Sequence, residues 1–312
     1  MSKKTLQLIL VFSALLVVFL VIRLQNRSDK EIPFFDVDSV RIGHLEMTAQ
    51  NETIVLTKIG DQWKLTNPIA WDVNQEQLKM FFSKVLKVKV TRTPMSEKPD
   101  NLEKYRLTPD KAVVLKIYDK QSRLIDQVFF GRSLNSNFCY ARRKGSNAIY
   151  QLRDNIYDNV SASVFLWRSP VIAEVDLPNL SSVEIKYAGN QYKLYQKDNN
   201  WFYEDTKEQF QVDPTNMTVT KLFNALTSLQ TYQFIDHRWK EVGQYFKKPA
   251  AKVILNDKKG KHTELIFAVG KEDYVYLMKD GNQDTLYLMT LDMLNRFTVA
   301  APHFKATLKV QQ

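Results

Sequence analysis

The sequence predicts an α+β fold: an N-terminal transmembrane helix followed by two tandem homologous modules with antiparallel sheets and one main helix each. Three observations predict it. A long apolar run stands near the start, the remainder aligns with itself at an offset near 140 residues, and strand-like segments are joined mostly by hairpin signals. The 312 residues are 44% hydrophobic and 25% charged, which excludes wholesale disorder. One cysteine, Cys139, excludes an intramolecular disulfide and any multi-cysteine zinc or iron–sulfur site. Four histidines, His44, His237, His262 and His303, leave little for a histidine-based metal centre, and no cofactor is expected.

The first element is the apolar run Leu6–Ile22, in which Gln7 and Ser13 are the only polar residues. At ~1.5 Å per residue it spans about 26 Å, and extension over residues 5–24 approaches the hydrocarbon thickness. A buried core helix would carry a polar stripe, and this run has none. A cleaved signal peptide would end in small residues, whereas Arg23-Leu-Gln-Asn-Arg27 follows. Residues 1–31 therefore read as anchor and linker, 32–170 as the first module and 171–312 as the second. A short basic tail before a large body favours a single pass through a membrane with the body outside the cytoplasm.

The repeat rests on pairs in one order. Ser39-Val40-Arg41-Ile42 matches Ser182-Val183-Glu184-Ile185, and Asp61-Gln62-Trp63 matches Asn199-Asn200-Trp201. Leu102, Tyr105 and Pro109 match Val242, Tyr245 and Pro249, while Gly131 matches Gly270. Ile149–Leu152 matches Leu286–Met289.

Within the modules, Glu52–Ile59 and Trp63–Thr66 read as a hairpin about Gly60-Asp61, with Tyr192–Gln196 and Trp201–Tyr203 as counterpart. Leu78, Phe81, Phe82, Val85 and Leu86 fall at helical spacing, with Asp72 or Asn74 as cap. Val219, Leu222, Phe223 and Leu226 make the same stripe, and Asp213-Pro214 reads as cap and first helical residue. Two strand pairs follow: Ala112–Tyr118 with Leu124–Phe130, and Lys252–Leu255 with Thr263–Val269 about Asp257-Lys-Lys-Gly260. Cys139–Arg142 with Ala148–Leu152, and Tyr274–Lys279 with Thr285–Met289, close each module. Hairpin joints favour antiparallel sheets over a doubly wound parallel one.

These motifs, Gly60-Asp61-Gln62-Trp63-Lys64-Leu65, Leu102–Pro109, Gly131 and Tyr140–Leu152, resemble the bacterial family catalogued as domain of unknown function 4340. The resemblance covers most of residues 38–165, with a weaker copy over about 180–297. The family's usual Tyr-Gly-Leu is Tyr105-Arg106-Leu107 here, and Tyr245-Phe246 in the second copy. The resemblance implies a membrane-anchored protein near components of ABC-type transport or gliding systems. It implies no catalytic residues.

No nucleophile elbow, phosphate loop, dinucleotide fingerprint or zincin motif occurs. His237, in Asp236-His237-Arg238-Trp239-Lys240-Glu241, could be a general base, yet a solvated loop histidine explains it better. Cys139 beside Arg142 could be a thiolate nucleophile; an inert, half-buried cysteine is the simpler reading. Asp36/Asp38, Glu204/Asp205 and Glu272/Asp273 lack calcium-loop spacing and read as turns. Trp63 and Trp201 read as duplicated core packing.

Charge carries the main functional signal. Residues 32–170 hold 21 basic against 15 acidic groups, while 171–312 hold 18 against 17. Lys84, Lys87, Lys89 and Arg92 flank the passage from helix to strand, and Arg142-Arg143-Lys144 read as a turn cluster. Alternation along a Lys87–Arg92 strand sends both lysines to one face and Val88 and Val90 to the other. These seven cations are the candidate contact with an anionic surface. Nucleic-acid readers' basic-plus-aromatic motifs are absent.

The expected function is that of a non-enzymatic, extracytoplasmic, membrane-tethered protein. It would act by contact with a membrane complex, an ABC-type transporter or envelope assembly. The alternatives are an envelope hydrolase or a ligand-binding sensor with a site between the modules.

Overall fold

The computed structural model describes residues 12–19, 31–134, 137–154 and 156–305. They divide at Ser169/Pro170 into two compact units. Residues 12–19 are helical and exposed, and among the described residues no helix is long and apolar enough to cross a membrane. The expected N-terminal transmembrane helix is therefore not supported, and the fold is mostly antiparallel sheet with several helices. The rest of the expected span and its linker, residues 1–11 and 20–30, lie outside the described residues.

The first unit contains Glu31–Pro33 (β1), Ile42–Ala49 (β2), Glu52–Ile59 (β3), Gln62–Asn67 (β4) and Trp71–Asp72 (β5). After the main helix come Lys89–Thr91 (β6), Val113–Asp119 (β7), Leu124–Arg132 (β8), Phe138–Arg143 (β9) and Tyr150–Arg153 (β10). Eight of these form one antiparallel sheet in the order β10-β9-β8-β7-β2-β3-β4-β5, and β1 pairs with β6. Side-chain alternation builds the core: Leu45, Met47, Ile54, Leu56, Leu115 and Ile117 are buried on one face. His44, Glu46, Lys116 and Tyr118 line the other, where Lys116 pairs with Glu46 at 2.6 Å.

The helix Gln75–Met80 starts at Asn74, whose Oδ1 accepts from the Glu76 and Gln77 amides. Asp72, the other candidate cap, pairs with Lys64. The helix widens by one residue over Phe81–Val85, where Leu86 N–H bonds Phe81 O at 3.1 Å. Leu78, Phe81, Val85 and Leu86 enter the core, each worth roughly 1.5–3 kcal/mol of burial. On the sheet's opposite face, Leu107, Val114, Phe129 and Ile149 form a smaller cluster with Tyr105 and Tyr140. Gly131 is required there, since a Cβ would lie 2.0 Å from the Tyr105 carbonyl oxygen.

The second unit contains Leu180–Tyr187 (β11), Asn190–Lys197 (β12), Asn200–Asp205 (β13), Gln209–Gln211 (β14) and Gln233–Asp236 (β15). Ala251–Asp257 (β16), His262–Val269 (β17), Val275–Lys279 (β18) and Thr285–Met289 (β19) complete it. Its order, β14-β13-β12-β11-β16-β17-β18-β19-β15, follows the first sheet strand for strand and adds β15 at one edge. Details recur as well. The register shifts at Ile42/His44 and again at Leu180/Ser182. Asp119 accepts from the Gln121 and Arg123 amides, as Asp257 does from Lys259 and Lys261.

The main helix of this unit, Met217–Thr227, is capped by Asn216 and not by the expected Asp213. Asp213 instead closes the preceding turn through Thr215. The physical reason is tertiary: Asn216 is buried, and its Nδ2 donates to the His303 and Phe304 carbonyls, both at 3.1 Å.

Candidate functional site

Of the seven cations singled out by charge, Lys84, Lys87, Lys89, Arg92 and Lys144 are exposed. None of these five has an ion-pair partner among the described residues. Only Lys89–Thr91 is strand, shorter than the expected Lys87–Arg92, because β1 supplies three pairing residues. The alternation nevertheless holds, with Val90 buried and Val88 half-buried while Lys87 and Lys89 face out. Arg142 and Arg143 are placed elsewhere. They belong to β9 and not to a turn, so Arg142 is buried, its guanidinium 4.0 Å from the Phe129 ring centroid. Its Nε donates to Leu107 O at 3.0 Å. Arg143 pairs with Asp126 at 2.8 Å and donates to Phe34 O. Both are committed to the fold.

A second surface lies in unit two, and composition did not single it out. Tyr232 and Tyr274 are 47% and 43% exposed. Tyr245 and Tyr276 stack with centroids 5.8 Å apart and planes at 9°, and Trp239 packs 5.4 Å from Phe246. Burial, then the nearby Tyr274 and Tyr276, raises the Tyr232 hydroxyl above its ordinary pKa. Burial, then Tyr245, does the same for Tyr276. Arg238 donates through Nε to Glu241 at 2.9 Å and holds that carboxyl below its ordinary value. The backbone is fitted to these rings: a Cβ on Gly270 would meet the Tyr276 ring at 2.5 Å, and one on Gly243 the Trp239 indole at 2.7 Å. The available signal was the alternation Tyr274-Val275-Tyr276. Adding Tyr232 required knowing that β15 pairs with β19 beside β18.

The candidate reactive groups are otherwise engaged. Cys139 is fully buried, and desolvation pushes its thiol up to about 12. His237 is exposed at φ 56°, its amide bonded to Asp284 O at 2.8 Å, and the nearby Glu241 is held by Arg238. Asp38 accepts from the Val40 amide, and Asp205 from the Lys207 and Glu208 amides. Among the described residues no group of three or more His, Cys, Asp or Glu could hold a metal ion. Trp63 and Trp201 pack on Phe82 and Phe223 of the main helices at 5.7 and 4.8 Å. A cavity of about 330 Å³ beside His44 and Thr57 and one of about 250 Å³ beside Leu255 and Lys261 have different linings.

Residues 63–244, more than half the chain, match the model of the family described as Domain of unknown function (DUF4340). The chain belongs to this family. The match opens at Trp63 in β4 and closes at Gln244, so it crosses from the first unit into the second. This differs from the sequence resemblance, which placed one copy over 38–165 and another over about 180–297. No curated protein and no solved structure matches the chain.

Proposed function

We propose that this DUF4340 member is a non-enzymatic protein, made of two tandem copies of one α+β unit, that acts by contact with a protein partner. The tandem reading is supported by the common strand order, the paired register shifts and the aspartate-closed turns of Asp119 and Asp257. The observation that carries the contact reading is the tyrosine surface of unit two. Tyr232, Tyr274, Tyr276 and the Arg238–Glu241 pair have the aromatic and arginine composition that dominates binding energy at protein interfaces. Rings with two rotatable bonds supply contact area at low entropic cost.

The family resemblance supports an ABC-type transport, gliding-type or envelope assembly as the partner. An extracytoplasmic body belongs to the same proposal and is supported by the family resemblance. The test is a pull-down from solubilised cells with the full chain and its Tyr232→Ala/Tyr274→Ala variant. The expected result is a partner retained by the native chain and lost from the variant, with melting temperature unchanged. Equal recovery by both, or none above background, would refute it.

A further inference from the structure

The first unit's cationic strip can be judged against the equivalent place in the second. In unit one the strand after the main helix is tied to the start of the unit by Phe34 N–H to Val88 O at 2.9 Å. In unit two the same bond runs from Ile172 N–H to Leu229 O at 2.9 Å. Superposing the sequences on these bonds brings Val90 onto Thr231, both buried. It also brings Lys87, Lys89 and Arg92 onto Ser228, Gln230 and Gln233, all six exposed. The backbone path about this bond thus exists once with Lys87 and Lys89 and once with Ser228 and Gln230, while Arg92 lies beyond β6 and Gln233 opens β15. The fold has no need of the charges. Like charges this close repel one another, a cost a surface strand avoids unless something offsets it.

We infer that Lys87, Lys89 and Arg92, with Lys84 beside them, bind an acidic segment of a partner protein. Lys89 lies in β6 and Lys87 in the turn that leads into it, two residues apart and both exposed. A segment dense in carboxylates offers each of these exposed cations an opposite charge. Among the described residues none of the four cations has an ion-pair partner. This inference rests on the contact reading above only in requiring a protein partner, and it names that partner's chemistry.

The test uses the purified full chain and a labelled synthetic peptide of alternating glutamate and serine. A glutamine–serine peptide and vesicles of phosphatidylcholine with phosphatidylserine serve as comparisons. The loss variant is Lys87→Ser, Lys89→Gln, Arg92→Gln, which places unit two's own residues on unit one. The gain variant is Ser228→Lys, Gln230→Lys, Gln233→Arg. The native chain should bind the acidic peptide and not the neutral one, with affinity falling about tenfold or more from low to high salt. The loss variant should bind about tenfold more weakly at an unchanged melting temperature, and the gain variant more tightly. Equal peptide binding by the native chain and the loss variant would overturn the inference. So would vesicle binding without peptide binding, which would assign the strip to a lipid surface. Persistence of peptide binding when the tyrosine pull-down fails would remove the contact reading and leave the strip intact.

Discussion

Replacing Asn216 by alanine removes two functions of one side chain. Its Oδ1 accepts from the Thr218 and Val219 amides at the start of the main helix, at 2.8 and 3.3 Å. Its Nδ2 holds the carbonyls of His303 and Phe304 in the Ala301–Lys305 helix, each at 3.1 Å. A lost cap costs about 1 kcal/mol, and each buried carbonyl left without its donor about another, so Asn216→Ala should destabilise by about 3 kcal/mol. Asn74 plays the same part in unit one but is half-buried and holds a single carbonyl, Leu166 O, at 3.4 Å. Asn74→Ala should cost only about 1–1.5 kcal/mol. Asp213→Ala, at the cap expected from sequence, loses bonds in an exposed turn and should cost less than about 1 kcal/mol. Urea titration followed by tryptophan fluorescence reads all three, with Trp201 beside the unit-two helix and Trp63 beside that of unit one. A cost for Asn216→Ala below about 0.5 kcal/mol, or an equal cost for Asp213→Ala, would refute the reasoning.

Cys139, buried with its thiol near 12, should resist an aromatic disulfide reagent at about pH 8 in the folded protein and react fully once urea unfolds it. Burial depresses the His44 pKa below 6.5, with Glu46 opposing. Its stabilising contribution should therefore be present above 6.5 and lost as pH falls through the folded value; urea midpoints against pH should show that loss, and His44→Gln should flatten it. Gly131→Ala sets a Cβ against the Tyr105 backbone and should cost about 3 kcal/mol or more. Gly260→Ala, at φ +85° in open space, should cost about 1 kcal/mol; thermal melts that ranked the two equally would contradict the packing described.

Much of the fold was legible because it is local. The Glu52–Ile59 strand, the Gly60 turn at φ +60° and the Leu78–Leu86 stripe each announce themselves within about ten residues. Misreadings came where a distant partner decides. Arg142 looks like a turn cation until Phe129 and the Leu107 carbonyl, 35 residues from it, surround its guanidinium. The edge strands Trp71–Asp72 and Gln209–Gln211 are too short to carry a period. The expected transmembrane helix rested on composition alone, and among the described residues no helix is long and apolar enough to cross a membrane.

The candidate surfaces divide along the same line. The cations of residues 84–92 were visible as charge, since exposed lysines need no partner to be read. Their meaning came only from seeing that Ser228 and Gln230 follow the main helix of the second unit at the matching positions. The tyrosine surface gathers residues 232 to 276 because β15 returns to β19.

The linear chain by itself determined antiparallel hairpins, two units and an excess of positive charge in the first, because periodicity, turn chemistry and composition act over neighbouring residues. Tertiary structure alone decided which arginines are buried, which asparagine caps the second helix and which tyrosines share a surface. Those choices depend on hydrogen bonds and ring contacts between residues tens of positions apart, and no local pattern encodes them.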